Sequence, residues 1–210
     1  GVILTGGADY FSAGADLNEA VAIEGPADGH AYFRRFHRIA EVLETLRKPV
    51  IAAIEGFCMT GGLELALACD LRVGAEGSSY AITSARIGTM AGAGGTQRLP
   101  RLLGPSRALD LLFAAEPIGA AEAHRIGLID RFVSKGSAIA EAQRMIELYA
   151  TRAPLSLAFV KRAVHQGLDM DLAAGLELEA DMVSEIYATA DKQEGIRAFL
   201  EKRRPTFKGC

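Results

Sequence analysis

A strand, a glycine turn and a short helix, predicted between residues 50 and 69, carry the residue types best suited to chemistry. Gly61 and Gly62 stand at the helix start, where backbone N–H groups have no intrahelical acceptor. Because glycine leaves these groups uncovered and the helix dipole is positive there, the segment suits a developing negative charge. Glu64 lies in the first turn and could serve as a base. Taken alone, a tight turn followed by a solvated acid is the plainer interpretation.

Two other segments are rich in small residues. The loop at residues 12–16 follows a predicted strand, and its small side chains would let a ligand approach the backbone. Taken alone, this loop is better explained as a simple connection from strand to helix. The glycine cluster at residues 88–98 lacks the GxxxxGK[ST] phosphate-binding pattern. We expect its segment 92–95 to begin a helix close to a pocket, although a purely structural role is as good an explanation.

Composition excludes several other functions. There is no G-x-S-x-G motif, and the four histidines are scattered without metal-ligand spacing, so neither a serine triad nor a metal site is predicted. A net charge of -3 argues against a nucleic-acid surface. No apolar run is long enough to predict a membrane span. The three cysteines have no paired spacing, which indicates reduced thiols and a cytoplasmic protein.

The elements that must position these residues alternate between short strands and helices, which predicts an α/β fold. Apolar runs predict strands at 2–4, 50–54, 70–75, 80–82 and 128–133. Helical spacing predicts helices at 27–47 and 63–69. After residue 105 we expect only helices apart from the strand at 128–133. We divide the chain into a core at 1–135 and an all-helical carboxy-terminal region at 136–210, with helices opening near residues 136, 154, 171 and 191.

The amino terminus begins directly with an apolar strand-like run and carries neither Met nor a signal peptide. We interpret this run as internal to a longer protein whose first segment is not part of this sequence.

Taken in order, the segments resemble the enoyl-CoA hydratase/isomerase (crotonase) family. The similarity spans nearly the whole chain, and the combination of segments is far more specific than any one of them. The matching segments are Leu-Thr-Gly at 4–6, Phe-Ser-Ala-Gly-Ala-Asp at 11–16, Lys-Pro-Val-Ile-Ala-Ala-Ile-Glu-Gly at 48–56, Gly-Gly-Leu-Glu-Leu-Ala-Leu-Ala-Cys-Asp at 61–70, Gly-Ala-Gly-Gly-Thr-Gln-Arg-Leu-Pro at 92–100 and Ala-Phe-Leu-Glu-Lys-Arg at 198–203.

The resemblance implies a spiral of ββα units followed by a helical trimerisation region, assembled as a homo-trimer or a hexamer. It implies that the N–H groups of Ala15 and Gly61 form an oxyanion hole for a thioester carbonyl, with Glu64 as acid or base. It also implies a CoA site that a neighbouring subunit completes through its carboxy-terminal helix. The residues expected to bind substrate or CoA are Ala13, Asp16, Leu17, Gly62, Phe199 and Lys202.

The sequence departs from the family pattern in three ways. It lacks about the first fifth of a family member. Asn18 stands where hydratases often have a lysine for the CoA phosphates. Typical hydratases also use a second glutamate in a Pro-Glu pair about 20 residues after the first. Here that position falls on Ser84, preceded by Thr83, and a serine can orient water but cannot replace a carboxylate as acid or base.

The leading hypothesis is therefore hydration of a 2-enoyl-CoA, with Glu64 as the principal acid and base and no cofactor beyond the CoA carried by the substrate. Isomerisation, decarboxylation or thioester hydrolysis by the same oxyanion hole stays open. A weakly catalytic acyl-CoA-binding protein is a third possibility. The residues expected to line part of the acyl pocket are Tyr80, Ile82, Met90 and Leu112.

Overall fold

The computed structural model describes residues 1–210 and contains seven strands, ten α-helices and one short 3-10 helix. The strands β1 to β7 span Val2–Leu4, Val50–Ile54, Phe57–Met59, Leu71–Ala75, Ser79–Ala81, Ile118–Gly119 and Arg131–Val133. The helices α1 to α10 span Leu17–Val21, Pro26–Thr45, Gly61–Leu67, Gly95–Leu103, Pro105–Ala114, Ala120–Arg125, Ala138–Ala150, Pro154–Gly167, Leu172–Tyr187 and Ala190–Leu200. The 3-10 helix spans Ser84–Ile87.

Two sheets organise the first part of the chain. One has the strand order β1-β2-β4-β7, and the other has the order β3-β5-β6. The chain visits both sheets in turn, because β2, β3 and α3 follow one another and β4, β5 and α4 repeat the pattern. The pairs β2–β4 and β3–β5 are parallel, as this repetition requires. The predicted α/β spiral of ββα units is therefore confirmed.

The central strand β2 shows why the sequence adopts this arrangement. All five of its side chains, Val50–Ile54, are fully buried. A continuous apolar run with β-branched residues suits a parallel strand that is covered on both faces. This strand fixes the position at which the chain leaves the sheet for β3 and α3, where the candidate catalytic residues lie.

The chain divides into two compact units. One consists of residues 3–44 and 50–143 and contains both sheets except for Val2, the first residue of β1. The other consists of residues 1–2, 45–49 and 144–210 and is mostly helical, with α8 packed against α9. In this second unit the buried carboxylate of Asp191 accepts hydrogen bonds from the N–H groups of Lys208 and Gly209, which holds the end of the chain against α10. The boundary that we placed after residue 135 stays a prediction.

Most of the predicted elements are confirmed, with bounds shifted by a few residues at most. The expectation of helices alone after residue 105, apart from 128–133, is wrong, because β6 pairs antiparallel with β5 at Ile118–Gly119. The sequence analysis also missed α1, β3 and the 3-10 helix, which have five, three and four residues. Elements this short leave too few positions for a periodic pattern to show. No helix is both long enough and apolar enough to span a membrane.

Arg72 on β4 holds the first unit together from within. Its side chain is buried and donates to the carbonyl groups of Leu128 and Cys69 and to the carboxylate of Asp130. Arg72→Met is expected to lower the free energy of unfolding by about 3 kcal/mol, because it removes one partner of a buried ion pair. Asp130 keeps some contact with solvent, which places the effect at the low end of the usual range. Urea denaturation followed by circular dichroism measures the change. Arg125→Met, at an exposed ion pair, is the control and should change little.

Candidate active site

Two backbone N–H groups without acceptors lie close together beside the start of α3. They belong to Ala15 and Gly61, and neither donates to any group of the chain. A Cβ atom added to Gly61 would lie 3.5 Å from the nitrogen of Ala15. Gly14 has a φ of +105°, and a Cβ atom there would lie 3.3 Å from the nitrogen of Gly61. Two adjacent unpaired donors form a site where a carbonyl oxygen or an oxyanion can bind.

Pairing with β3 fixes the loop that carries Ala15. The N–H of Ser12 donates to the carbonyl of Phe57 at 3.1 Å, and the carbonyl of Ser12 accepts from Met59 at 2.9 Å. Gly62 then packs against this loop so closely that a Cβ atom would lie 2.5 Å from the Cβ of Ser12. The structure therefore explains Gly62 by packing, while its expected contact with CoA stays a prediction.

Thr60, directly before Gly61, has a strained backbone. Its φ of 46° and ψ of -113° lie outside the regions that a threonine normally adopts. Two contacts hold it in place: its N–H donates to the carbonyl of Ala81 at 2.7 Å, and its hydroxyl lies 2.9 Å from that of Thr83. Strain of this kind amounts to about 1–3 kcal/mol and is typical of functional turns. Here it directs the chain so that the N–H of Gly61 stays free.

Glu64 is the buried acid of the site. Its side chain is only 2% exposed, and its Oε1 accepts hydrogen bonds of 2.8 Å from the N–H groups of both Ala93 and Gly95. The other oxygen, Oε2, accepts none, which leaves it available to water or a substrate. Burial raises the pKa of Glu64, although the two N–H donors and, less strongly, the positive charges of Arg98 and His37 oppose this shift. A raised pKa brings a carboxyl group closer to the range that general acid–base catalysis needs.

One face of α2 supports the segment that binds Glu64. Phe33 packs against Gly92, where a Cβ atom would come within 2.5 Å of the ring, and the Nε2 of His37 lies 2.8 Å from the Gly92 carbonyl oxygen. Further along, the carboxylate of Glu44 accepts two hydrogen bonds from Arg98 at 2.5 and 2.9 Å. Residues 33, 37 and 44 share one helix face, so α2 fixes the segment from 92 to 98 at three points.

Gly95 has no room for a side chain, because Ile82 and Glu64 lie directly against it. A Cβ atom there would lie 2.8 Å from the Cδ1 of Ile82 and 3.0 Å from the Oε1 of Glu64. Gly95→Ala is expected to lower the rate of a reaction that uses Glu64 about 10-fold to 100-fold, because it displaces the carboxylate by a fraction of an ångström. Steady-state rates measure the loss. Gly119→Ala, where nothing lies within 4 Å of the new methyl group, is the matched control and should keep its rate. Equal rates for the two variants would contradict the placement of Glu64 at the reacting atoms.

Ser84 follows Thr83, the residue that contacts Thr60 in the turn before α3. It is 4% exposed and starts the 3-10 helix. The Oγ of Ser84 forms no hydrogen bond with the chain. Its expected part in catalysis stays a prediction.

The residues expected to bind CoA are not all brought together. Ala13 is exposed in the loop, and Leu17 is exposed at the start of α1. Asp16 caps α1 by accepting hydrogen bonds from the backbone and the side chain of Asn18, so both polar residues have a structural role here.

The two remaining candidates, Phe199 and Lys202, belong to the other compact unit. Phe199 is highly exposed near the end of α10, and Lys202 follows that helix with a φ of 54°. Their expected contact with the CoA of a neighbouring subunit stays a prediction.

The structure has the spiral of ββα turns that the sequence analysis expected of a crotonase. A family model described as enoyl-CoA hydratase/isomerase matches residues 1–210. The chain is 37% identical over 209 residues to a probable enoyl-CoA hydratase of Bacillus subtilis, covering 99% of this chain and 81% of that protein. It is 38% identical over 213 residues to a crotonyl-CoA hydratase of Syntrophomonas wolfei, covering 98% and 79%.

A solved structure of an enoyl-CoA hydratase from Bacillus anthracis matches with a TM-score of 0.93 at 39% identity, covering 100% of this chain and 81% of that one. The protein therefore has the crotonase fold. It belongs to the enoyl-CoA hydratase/isomerase family.

Sequence analysis missed the residues that support the site. Phe33, His37 and Glu44 recur at helical spacing, but nothing local shows that their partners lie more than 50 residues away. Tyr80, which we expected in the acyl pocket, is fully buried, and its hydroxyl pairs with that of Ser78 at 2.8 Å. Met90, another expected pocket residue, is 65% exposed.

Proposed function

We propose that the protein hydrates a 2-enoyl-CoA thioester. The observation that carries this proposal is the pair of unpaired N–H groups on Ala15 and Gly61, with the carboxylate of Glu64 on the same short helix. In the proposed reaction the thioester carbonyl accepts hydrogen bonds from both N–H groups. Charge moves onto this oxygen as the β-carbon is attacked, so the donors stabilise the enolate more than the substrate.

Glu64 performs both proton transfers in this scheme. Its Oε2 removes a proton from water, the hydroxide adds to the β-carbon, and the carboxylic acid returns the proton to the α-carbon. The net change is the addition of one water, so we propose that no cofactor takes part beyond the CoA carried by the substrate. The Oγ of Ser84 is proposed to orient the attacking water.

The direct test uses crotonyl-CoA and the purified protein. Hydration removes the conjugated thioester ultraviolet band and adds the mass of one water, and both can be followed. No loss of the band at high protein concentration would overturn hydration. Binding without turnover, unchanged in Glu64→Gln, would instead support an acyl-CoA-binding protein.

Isomerisation is the second candidate, because Ser84 stands where typical hydratases have their second glutamate. Moving a double bond from the 3- to the 2-position needs one base that shifts a proton from the α- to the γ-carbon. With a 3-enoyl-CoA substrate, isomerisation produces the conjugated band without a change in mass, and hydration of the product then adds water. Mass spectrometry separates the two outcomes.

A second carboxylate at the position of Ser84 should increase hydration. Ser84→Glu supplies an additional acid or base beside Thr83, and acid–base assistance is worth about 10²–10⁴ in rate when the group is well placed. We expect a clear rise in crotonyl-CoA hydration by this variant. Ser79→Glu, on β5, controls for the added charge. No change or a fall in the Ser84 variant alone would show that the second carboxylate belongs elsewhere.

We also propose a homo-trimer or hexamer. The carboxy-terminal helices expose large apolar side chains, and such a surface is typical of a subunit interface. The exposed apolar side chains of this region include Val160, Val164, Leu168, Leu172, Leu176, Ile196, Phe199 and Leu200. Light scattering after gel filtration tests the assembly.

The proposed location in the cytoplasm fits three free cysteines, which a reducing compartment preserves.

A further inference from the structure

The phenol of Tyr32 has a role that the proposed reaction does not use. Tyr32 lies on α2 and is 7% exposed. Its hydroxyl oxygen is the one buried side-chain nitrogen or oxygen atom in the structure without a hydrogen-bond partner. Buried polar groups are nearly always paired, because leaving one unpaired destabilises the fold. Since no group of the chain pairs with this hydroxyl, it is available to a hydrogen-bond partner from outside the chain.

Two observations connect Tyr32 with the segments that form the candidate active site. Its ring packs edge-on against those of Phe33 and Phe36, with centroids 5.3 and 5.2 Å away. Phe33 contacts Gly92, which precedes the N–H donor of Ala93 that binds Glu64. In addition, the charge of Asp16, the residue after Ala15, acts on the Tyr32 hydroxyl. The phenol is therefore connected with the candidate site through Phe33, which packs on the segment that binds Glu64, and through the charge of Asp16, which follows the donor Ala15.

We propose that the Tyr32 hydroxyl is a specificity-determining group that donates a hydrogen bond to an uncharged oxygen on the acyl chain of the substrate. This inference rests on the proposed function, because it places the acyl chain of a CoA thioester beside α2. It assigns to the protein a preference for hydroxylated or carbonyl-bearing acyl groups over plain alkyl chains.

Charge decides between uncharged and carboxylated acyl groups. Burial, followed by the negative charges of Glu19 and Asp16, raises the pKa of Tyr32, and the positive charge of Arg35 opposes this more weakly. The phenol therefore stays protonated and can donate. The same two carboxylates would repel an acyl chain that ends in a carboxylate.

Binding of saturated thioesters tests the inference without requiring turnover. We would measure, by titration calorimetry, acyl-CoA thioesters that carry a hydroxyl on carbon 4, 5 or 6, each against the alkyl thioester of equal heavy-atom number. We expect the unmodified protein to prefer the hydroxylated member at one position at least. Tyr32→Phe should lower that preference about tenfold, as expected for one lost hydrogen bond, with alkyl binding kept. Tyr10→Phe, an exposed tyrosine stacked on Phe57, is the control.

Each outcome has a definite meaning. No preference at any position, an equal loss for both ligands in Tyr32→Phe, or tighter binding of an acyl chain ending in carboxylate would overturn the inference. A preference that Tyr32→Phe abolishes, in a protein that fails to hydrate any 2-enoyl-CoA, would support the inference while the proposed reaction fails. A melting temperature for Tyr32→Phe at or above that of the unmodified protein shows that the variant is folded.

Discussion

Glu64→Gln is expected to lower the rate of enoyl-CoA hydration by about 10²–10⁴, the usual worth of a positioned acid or base. Glutamine has the same size, and its amide oxygen can still accept the hydrogen bonds of 2.8 Å from Ala93 and Gly95. The site is therefore expected to keep its shape while losing the group that moves the proton. Initial rates with crotonyl-CoA, followed in the ultraviolet, measure the effect.

A control variant and the expected KM make the prediction for Glu64→Gln specific. Glu76→Gln, at an exposed glutamate beyond β4, is a matched control and is expected to keep the original rate. The KM of Glu64→Gln should change little, because the free N–H groups of Ala15 and Gly61 still bind the carbonyl. A rate within tenfold of the original would show that Glu64 is not the base.

The raised pKa of Glu64 also predicts how activity and stability depend on pH. Activity that needs the ionised carboxylate should fall on acidification at a higher pH than the ordinary pKa of a glutamate would give. The folded state binds the proton more tightly than the unfolded state, so the stabilising effect of protonation is lost as pH rises through the raised pKa. Glu64→Gln should consequently melt at a higher temperature than the unmodified protein at neutral pH, and the difference should shrink as pH falls through the raised pKa and vanish below the ordinary carboxyl pKa. Calorimetry at several pH values tests this.

Gly61→Pro is expected to lower kcat by about 10²–10³ through the loss of one oxyanion donor. Gly61 is the first residue of α3, where the missing N–H of a proline removes no hydrogen bond of the helix, and thermal melts check that the strained Thr60 still accommodates the ring. The N–H of Gly61 is unpaired in the structure, so the substitution breaks no internal hydrogen bond. Because the donor acts mainly on the developing negative charge, KM should change much less than kcat.

Gly61→Ala is the control that keeps the donor. The added methyl group would lie no closer than 3.5 Å to any neighbouring atom, which is ordinary contact. We expect this variant to be much more active than Gly61→Pro, and Ala15→Pro, which removes the other donor, to lose activity in the same way. Equal activity of the alanine and proline variants at position 61 would contradict an oxyanion role for this N–H. Thermal melts confirm that each variant is folded.

Sequence alone predicted the parts of the site that lie within one continuous segment. Gly61 and Glu64 are separated by two residues, so one turn of helix fixes their relationship, and the buried run at Val50–Ile54 fixes where that helix begins. The unusual backbone of Thr60 was not predicted, because threonine gives no local signal for a positive φ. Contacts with Ala81 and Thr83, which the parallel pairing of β3 and β5 brings within reach, hold this conformation.

The contacts by which α2 supports the site could not be predicted either, because they too join distant parts of the sequence. Amphipathic spacing predicted the helix, but it could not show that His37 meets Gly92 or that Glu44 meets Arg98. These pairs are joined only when the spiral turns of chain stack on one another. The unpaired hydroxyl of Tyr32 is likewise a property of the packed structure, since a tyrosine followed by Phe33 and Phe36 on an amphipathic helix predicts only burial.

The three contacts between α2 and the segment at 92–98 limit where the gene can gain or lose a codon. One residue inserted between His37 and Glu44 would rotate these side chains relative to each other by about 100°, so that they could not both reach the segment at 92–98. An added residue in the link between α1 and α2, at residues 22–25, would leave the relative orientation of these side chains unchanged and should be tolerated. Descendants of this gene should therefore vary in length before Pro26 but keep α2 in register.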